Sequence, residues 1–439
     1  MASKQGTRVT VIVLGDLGRS PRMRYHALAL ADSGVQVDLI GYAGSALPRA
    51  LCGHPRIRCH LMAPMPLRFL NRFKNALFPA VSLVKIVVQA ARLLWLLLFV
   101  VGKPDAVLVQ NPPAVPTLMV ALLSARLRSA RLIIDWHNFG YTMLALKLGS
   151  SSLIVRWMRR HERALGRRAD AHLCVSRAMQ LELENHWGFS KATLLYDRPA
   201  AGFMSAEPDE RRALLHRLTS VSALVPTQYR LDAPARPAIL VSATSWTQDE
   251  DFDLLLDALA RCDRALRPFD GAYGSGQAVR ERKRLPFPRL LMLITGDGPL
   301  RESYEARIRG MSLNRIHVQT LWLSPEDYPL LLRAADLGVC LHRSSSGLDL
   351  PMKVADMLGS GLPVCALDYG PCLGEQLRHG ENGLLFSDSG GLAEQILDLF
   401  NGFPDESPLL DRLRCNILGS TRRRWSEEWR DAAFSTIIG

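Results

Sequence analysis

The chain has 439 residues, is 48% hydrophobic and carries a formal charge of +12. That length suits two domains of comparable size, and the composition excludes a disordered chain. The charge favours an anionic partner, yet it sits in short clusters at 56–58, 156–168 and 422–424 that also read as solvated faces. With no arginine-rich tail and no zinc-knuckle spacing, nucleic acid is not expected as a partner.

The first eight residues are polar and residue 9 already opens a core strand, so no signal peptide is expected. Strand 9–15, helix 21–33 and strand 35–42 follow. Residues 81–101 form the longest apolar stretch, but Lys85, Gln89 and Arg92 recur through its first half. A spanning helix needs about 20 apolar residues. Two readings stand: an amphipathic helix on a membrane surface, with Arg92, Trp95 and Lys103 at the interface, or a buried crossover helix. The membrane-surface reading leads. The α/β pattern resumes with strand 106–110, helix 117–127, strand 131–135, a polar loop, helix 153–166 and strand 171–175. Residues 201–237 carry prolines and no strand pattern, and read as a connection between domains 1–200 and 238–423. The second domain repeats the alternation, with strands at 238–243, 290–295, 316–321, 337–341 and 363–367. Helices are expected at 252–267, 301–310, 325–334 and 352–360. Residues 271–288 look like a surface insertion. A terminal helix over 424–438 could pack back across the halves. Short apolar strands separated by helices predict two doubly wound parallel sheets, with ligands expected at the strand C-termini in a cleft between them. The eight cysteines lack CxxC spacing, and Cys174 and Cys340 lie in apolar runs, so free thiols in a reducing compartment are expected.

The loops after these strands hold the candidate chemistry. Gly15, Asp16, Gly18, Arg19 and Arg22 follow the first strand, with Pro21 where a dinucleotide fingerprint would have its last glycine. Asp16 either takes a proton from an acceptor hydroxyl or caps a tight turn, and Arg19 and Arg22 could hold a diphosphate. The run Asp135-Trp-His137-Asn138-Phe-Gly-Tyr141 offers polar groups and ring faces for a sugar, although a lone histidine is often structural. Ser245, Trp246, Thr247 and the acids at 249–251 form either a diphosphate cradle or the cap of the next helix. Gly296, Asp297 and Gly298 make a strand-to-helix turn. The densest signal runs from His342 to Lys353, where Arg343, Ser346, Gly347 and Lys353 could hold a diphosphate and Asp349 a hydroxyl. There is no Walker motif, HExxH, GxSxG or paired metal-ready carboxylate. A transfer without cofactor or metal is the simplest expectation.

These loops carry a resemblance. The stretches 13–23, 110–113, Ile134-Asp-Trp-His-Asn-Phe-Gly-Tyr141, 245–252, 326–332, 335–342 and Ser344-Ser-Ser-Gly-Leu-Asp-Leu-Pro-Met-Lys353 cover nearly the whole chain in order. The chain resembles the chitobiosyldiphosphodolichol β-mannosyltransferases. The resemblance implies a GT-B fold, GDP-mannose as donor, and GlcNAc₂-diphosphodolichol as acceptor at the cytosolic face of the endoplasmic reticulum. It implies an inverting, metal-independent β1,4 transfer in the assembly of the N-glycosylation precursor, and a complex with other mannosyltransferases of that pathway. Asp16 is then the first candidate base and His137 the second. Ser245, Trp246, Gly296, Gly298, Arg343, Ser346, Gly347, Asp349 and Lys353 would hold the donor, and Gly18, Arg19, Arg22 and Asn138 the acceptor. The chain is expected to lack the N-terminal anchor that many members carry, so attachment would rest on 81–101, on basic surface or on a partner. It departs from the family pattern at Asp297 and Arg343, where a lysine and a threonine are usual, and Arg343 is expected to supply the displaced cation. Two alternatives stand: a GT-B transferase with another donor, and a catalytically impaired membrane-surface scaffold, which the departure at Asp297 keeps open.

Overall fold

The computed structural model describes residues 6–64, 78–200 (backbone alone for 78–82), 203, 225–229, 236–247, 250–266, 286–324, 326–420 and 423–439. These residues form two compact units, Met1–Asp197 with Trp425–Gly439, and Arg198–Arg424. Most of the expected connection at 201–237 and of the insertion at 271–288 lies outside the described residues.

The first unit alternates β1 (Arg8–Asp16), α1 (Pro21–Asp32), β2 (Gln36–Tyr42), α2 (Arg49–Cys52), β3 (Ile57–Met62), α3 (Phe78–Trp95), β4 (Ala106–Asn111) and α4 (Thr117–Arg128). It continues with β5 (Arg131–Trp136), α5 (Gly140–Leu148), α6 (Leu153–Gly166), β6 (Ala171–Cys174), α7 (Arg177–Leu181) and β7 (Thr193–Leu194). All seven strands are parallel, in the order β3-β2-β1-β4-β5-β6-β7. Val9, Val11, Ile12 and Val13 of β1, and Leu132, Ile133 and Ile134 of β5, are all buried, as strands covered on both faces require. Pro21 starts α1 at a position where its missing N–H costs nothing. The chain moves outward from β1 to β3 and returns on the other side at β4, so a crevice opens at the C-terminal ends of β1 and β4.

Four elements here were not expected, the four-residue α2 among them. β3 begins inside the basic cluster at 56–58, where Ile57 is buried and Arg58 exposed, the mix that suits an edge strand. α5 occupies the expected polar loop, and β7 is only two residues long. The stretch 81–101 proves to be α3 continued by one π-helical turn, Leu96–Val100. It does link β3 to β4, but the buried alternative fails: Leu83, Val87, Trp95 and Phe99 are all more than half exposed, and among its described side chains only Leu93, Leu97 and Val101 are buried. By length and composition alone Leu83–Val100 is apolar enough to cross a membrane.

The second unit alternates β8 (Ala238–Thr244), α8 (Phe252–Ala265), β9 (Leu290–Gly296), α9 (Arg301–Arg309), β10 (Ile316–Leu321), α10 (Asp327–Ala334), β11 (Leu337–Cys340), α11 (Met352–Gly359) and β12 (Val364–Leu367). Beyond the last expected strand come β13 (Gly383–Phe386), α12 (Ser389–Leu399) and α13 (Pro408–Gly419). The sheet is parallel, ordered β10-β9-β8-β11-β12-β13, with an apolar layer on each face. Its switch point lies between β8 and β11.

The terminal segment is two helices, α14 (Trp425–Ala432) and α15 (Phe434–Ile438), broken at Ala433. Trp425, Trp429, Ala433 and Ile437 are buried against Met23, Ala27 and Leu30 of the first unit.

Candidate functional site

The loop after β1 wraps around Asp16. Its Oδ1 accepts from the Gly18 amide at 2.9 Å, and its Oδ2 from the Ser45 amide at 2.9 Å and the Ser45 hydroxyl at 2.8 Å. The Arg19 guanidinium lies 3.6 Å away. A Cβ on Gly18 would come within 2.5 Å of the Ser45 carbonyl, and one on Gly44 within 2.4 Å of Asp16 Oδ2. The glycines are therefore needed for loop-on-loop packing, and the Asp16 carboxylate is occupied in stapling two loops together.

Asp135, at the end of β5, is the buried hub of the first unit. It accepts from Arg22 Nε at 2.8 Å and Nη2 at 2.9 Å, from His26 Nε2 at 3.1 Å and from His137 Nε2 at 2.8 Å. Burial alone would raise its pKa, but the neighbouring Arg22 and His137 hold it well below the usual carboxylate range. Arg22 itself is 1% exposed and also reaches the Leu195 carbonyl and Asp197, each through Nη1 at 2.8–2.9 Å. It is therefore not an acceptor-binding residue: its expected role as a diphosphate ligand is corrected to that of a structural cation.

The hub fixes two tautomers. Trp429 Nε1 donates to His26 Nδ1 at 2.8 Å, so His26 must donate from Nε2 to Asp135. Burial pushes His26 down, consistent with a neutral ring. His137 likewise faces the carboxylate with Nε2, which in the neutral ring leaves Nδ1 as an acceptor. Its side chain is 22% exposed, the only one of the three partners with an outward edge.

The aromatic residues of 135–141 do not form an open sugar platform. Trp136 and Phe139 are fully buried, and Phe139 stacks on Trp187 at 4.6 Å. Asn138 Oδ1 accepts from the Phe139 amide at 2.7 Å, turning the chain into α5. Glu162 of α6, which gave no signal in the sequence, is buried against the start of α5. It accepts from the Gly140 and Tyr141 amides and from Asn111 Nδ2 at 2.8–3.0 Å, and burial pushes its pKa up. Arg24 was also missed. Its Nε and Nη1 are enclosed without a hydrogen-bond partner among the described residues, and burial pushes its pKa down.

In the second unit the expected donor loops meet at the ends of β8, β9 and β11. Trp246 is fully buried at φ +49°, stacked on Phe252 at 4.5 Å, and donates to the Gly296 carbonyl at 3.1 Å. It holds the loop from below and is corrected from ligand contact to scaffold. Gly296 (φ +142°) and Gly298 let the second loop press on the first: a Cβ at either would lie 1.8 Å from the Thr244 or Ser245 carbonyl oxygen. Asp297 is half exposed, with Arg301 Nη1 at 3.9 Å.

The Asp349 carboxylate is 10% exposed and draws its own loop together, accepting from His342 Nε2 at 3.0 Å and from the Ser344 and Ser346 hydroxyls. Gly347, at φ +72°, donates to Ser344 Oγ at 2.8 Å. Lys353 pairs with Glu250, whose other oxygen accepts from Thr244 Oγ1 at 2.6 Å and the Ser245 amide at 2.8 Å. Of the acids expected at the start of α8, Asp251 caps the helix, and Glu250 instead ties the β8 loop to α11. Arg343 is exposed and makes no ion pair among the described residues. Among the described residues no group of three His, Cys, Asp or Glu side chains is arranged to hold a metal ion.

Residues 18–196 match the family described as Glycosyltransferase Family 4, and residues 231–416 that described as Glycosyl transferases group 1. The Anabaena HepE structure in complex with UDP-glucose matches with a TM-score of 0.64 at 17% identity, over 98% of each chain. A trehalose-phosphate synthase of Burkholderia xenovorans matches at 0.60 and 13%, over 99% of this chain and 100% of that one. Such identities speak to fold alone. With two parallel-sheet units and both family matches, the protein is a glycosyltransferase of the GT-B fold.

Closer relatives narrow the class. An Arabidopsis thaliana protein named UDP-glycosyltransferase TURAN is 44% identical, over 97% of this chain and 96% of its own. The human chitobiosyldiphosphodolichol β-mannosyltransferase is 40% identical over 98% and 92%, and that of Dictyostelium discoideum 35% over 96% and 91%. The chain belongs to the chitobiosyldiphosphodolichol β-mannosyltransferase family, as its motifs led us to expect.

Proposed function

We propose that this enzyme transfers mannose from GDP-mannose to chitobiosyl-diphosphodolichol, with inversion, giving a β1,4 linkage at the cytosolic face of the endoplasmic reticulum. The observation that carries this reading is the match, over nearly the full length of both chains, to relatives named for that acceptor and that sugar. Inversion in one displacement needs a base on the acceptor hydroxyl and stabilisation of the departing diphosphate. His137 takes the proton on Nδ1, while Asp135 orients the ring and stabilises the imidazolium that forms. The outward edge of His137, with Asp135 behind it, and the three donors already held by Asp16 support that order of candidates.

Arg19, at the surface, and Arg24, whose Nε and Nη1 have no hydrogen-bond partner among the described residues, supply cations for the acceptor diphosphate. In the second unit Lys353, set by Glu250, and the exposed Arg343 offset the charge on the leaving GDP. Ser346 and the Gly347 turn shape the loop around it. No resident metal is called for in this scheme, because these side chains provide the cations.

The test is purified protein with a short-chain GlcNAc₂-diphospholipid and GDP-mannose, UDP-glucose or UDP-N-acetylglucosamine. A β-linked mannosyl product from GDP-mannose alone is expected. Transfer from a UDP-sugar in its place would overturn the donor assignment, for which the name of the Arabidopsis relative gives reason to look.

A further inference from the structure

We infer that the outer face of the first unit, built by α3, α4, α5 and α6, docks on an anionic lipid bilayer. This deepens the reading above and rests on it for its purpose, since a lipid-linked acceptor is met at a bilayer. The sheet order places these helices side by side: α3 leads into β4, α4 joins β4 to β5, and α5 and α6 join β5 to β6, with α3 packed on α4 and α4 on α6.

Each helix turns large apolar side chains outward. Phe99, just beyond α3, is 74% exposed and Leu153, opening α6, is 73% exposed. Met119, Leu123 and Leu127, spaced by four, make an exposed stripe along α4. Elsewhere among the described residues the exposed large apolar side chains are isolated, at Leu61, Leu181, Trp322 and Leu418. A contiguous apolar face of this kind marks an interaction surface.

The charge on the same helices identifies the occupant. α3 carries Lys85 and Arg92, α4 Arg126 and Arg128, α5 Lys147, and α6 Arg156, Arg159, Arg160 and Arg163. Their one carboxylate, Glu162, is buried and hydrogen-bonded to Asn111, Gly140 and Tyr141. Exposed apolar groups beside cations, with no exposed acid, match an anionic membrane interface. The geometry also sets α3 flat rather than across the bilayer. Leu93 and Leu97 are buried in the unit, Arg92 Nη1 reaches the Ala63 carbonyl at 3.4 Å, and Arg128 binds the Leu98 and Val101 carbonyls.

The experiment is cosedimentation of the full chain with vesicles of phosphatidylcholine and phosphatidylserine, roughly three to one, against phosphatidylcholine alone. Each Lys or Arg near such a surface is worth about fivefold in partitioning. Arg156→Glu with Arg160→Glu should therefore weaken binding at least about tenfold. Phe99→Ser with Leu153→Ser and Trp157→Ser should weaken it on both lipids, and Arg261→Glu with Arg264→Glu in α8 should change nothing. All variants should transfer sugar to a water-soluble short-chain acceptor as the unaltered chain does. Vesicle binding without transfer by the unaltered chain would sink the proposed reaction and leave the docking face standing. Transfer with vesicle binding equal in every variant would overturn the docking face. So would a lipid-free dimer that Phe99→Ser dissociates, because a second copy would then cover the face.

Discussion

Four donor nitrogens from three side chains converge on Asp135, and this decides which neighbours are free to react. His137→Ala should lower kcat by about 10²–10⁴-fold, the range for loss of a general base. Asp16→Asn should mainly loosen the β1 loop, raising the acceptor KM with kcat within a few-fold of normal. Steady-state kinetics on both variants separates the roles, and a collapse of kcat in Asp16→Asn alone would restore Asp16 as base. The motif around His137 was legible in the sequence. Its pairing with Arg22 and His26 was not, because these residues lie more than a hundred positions from Asp135 and meet it only across the sheet. His172 gives a second residue-scale expectation. It is buried, accepts from Trp136 Nε1 at 3.2 Å, and burial pushes its pKa down to about 4. A lowered histidine pKa means that the unfolded chain binds the extra proton first. Stability is then intact above about pH 6.5 and is lost as pH falls toward 4. Between pH 7 and 5 this residue alone should account for about 2 kcal/mol. Urea melts at both values should show a smaller difference in His172→Gln.

Among the elements, the strands were the most legible, since continuous apolar runs in a doubly wound pattern admit few alternatives. β10 spans the expected residues and α6 does too. What the sequence did not show was the structural duty of the polar, glycine-rich loops. In the loops after β8 and β9 the glycines serve close backbone contact, and Trp246 serves the core. Gly296→Ala should strain the φ +142° backbone by about 1–3 kcal/mol. It should also push the β9 loop off Thr244. The expected readout is a raised donor KM with a lower melting temperature, and an unchanged KM would mean that this loop does not shape the donor site. The apolar stretch at 81–101 shows the same limit from the other side. Its periodicity gave a helix, but whether its face was covered depended on what packed against it.

At the scale of the molecule, the C-terminal segment belongs to the unit that opens the chain. Removing residues 425–439 would expose the surface under Trp425, Trp429 and Ile437 and strip His26 of its tryptophan donor. Loss of one such buried tryptophan side chain costs about 3–5 kcal/mol. Calorimetry should therefore show the first unit melting markedly earlier in the truncated chain, with the Arg198–Arg424 unit melting as before. Equal melting of both units would deny the segment that role. The sequence by itself determined the two-sheet architecture, the loops that could bear chemistry and the family. Those rest on short-range patterns: strand runs, turn residues and ordered motifs. Tertiary structure decided which charged and aromatic side chains in the loops remain available. Arg22 and Trp246 were absorbed into the interior while His137 and Arg343 kept open edges, because burial and pairing are set by residues distant in the chain.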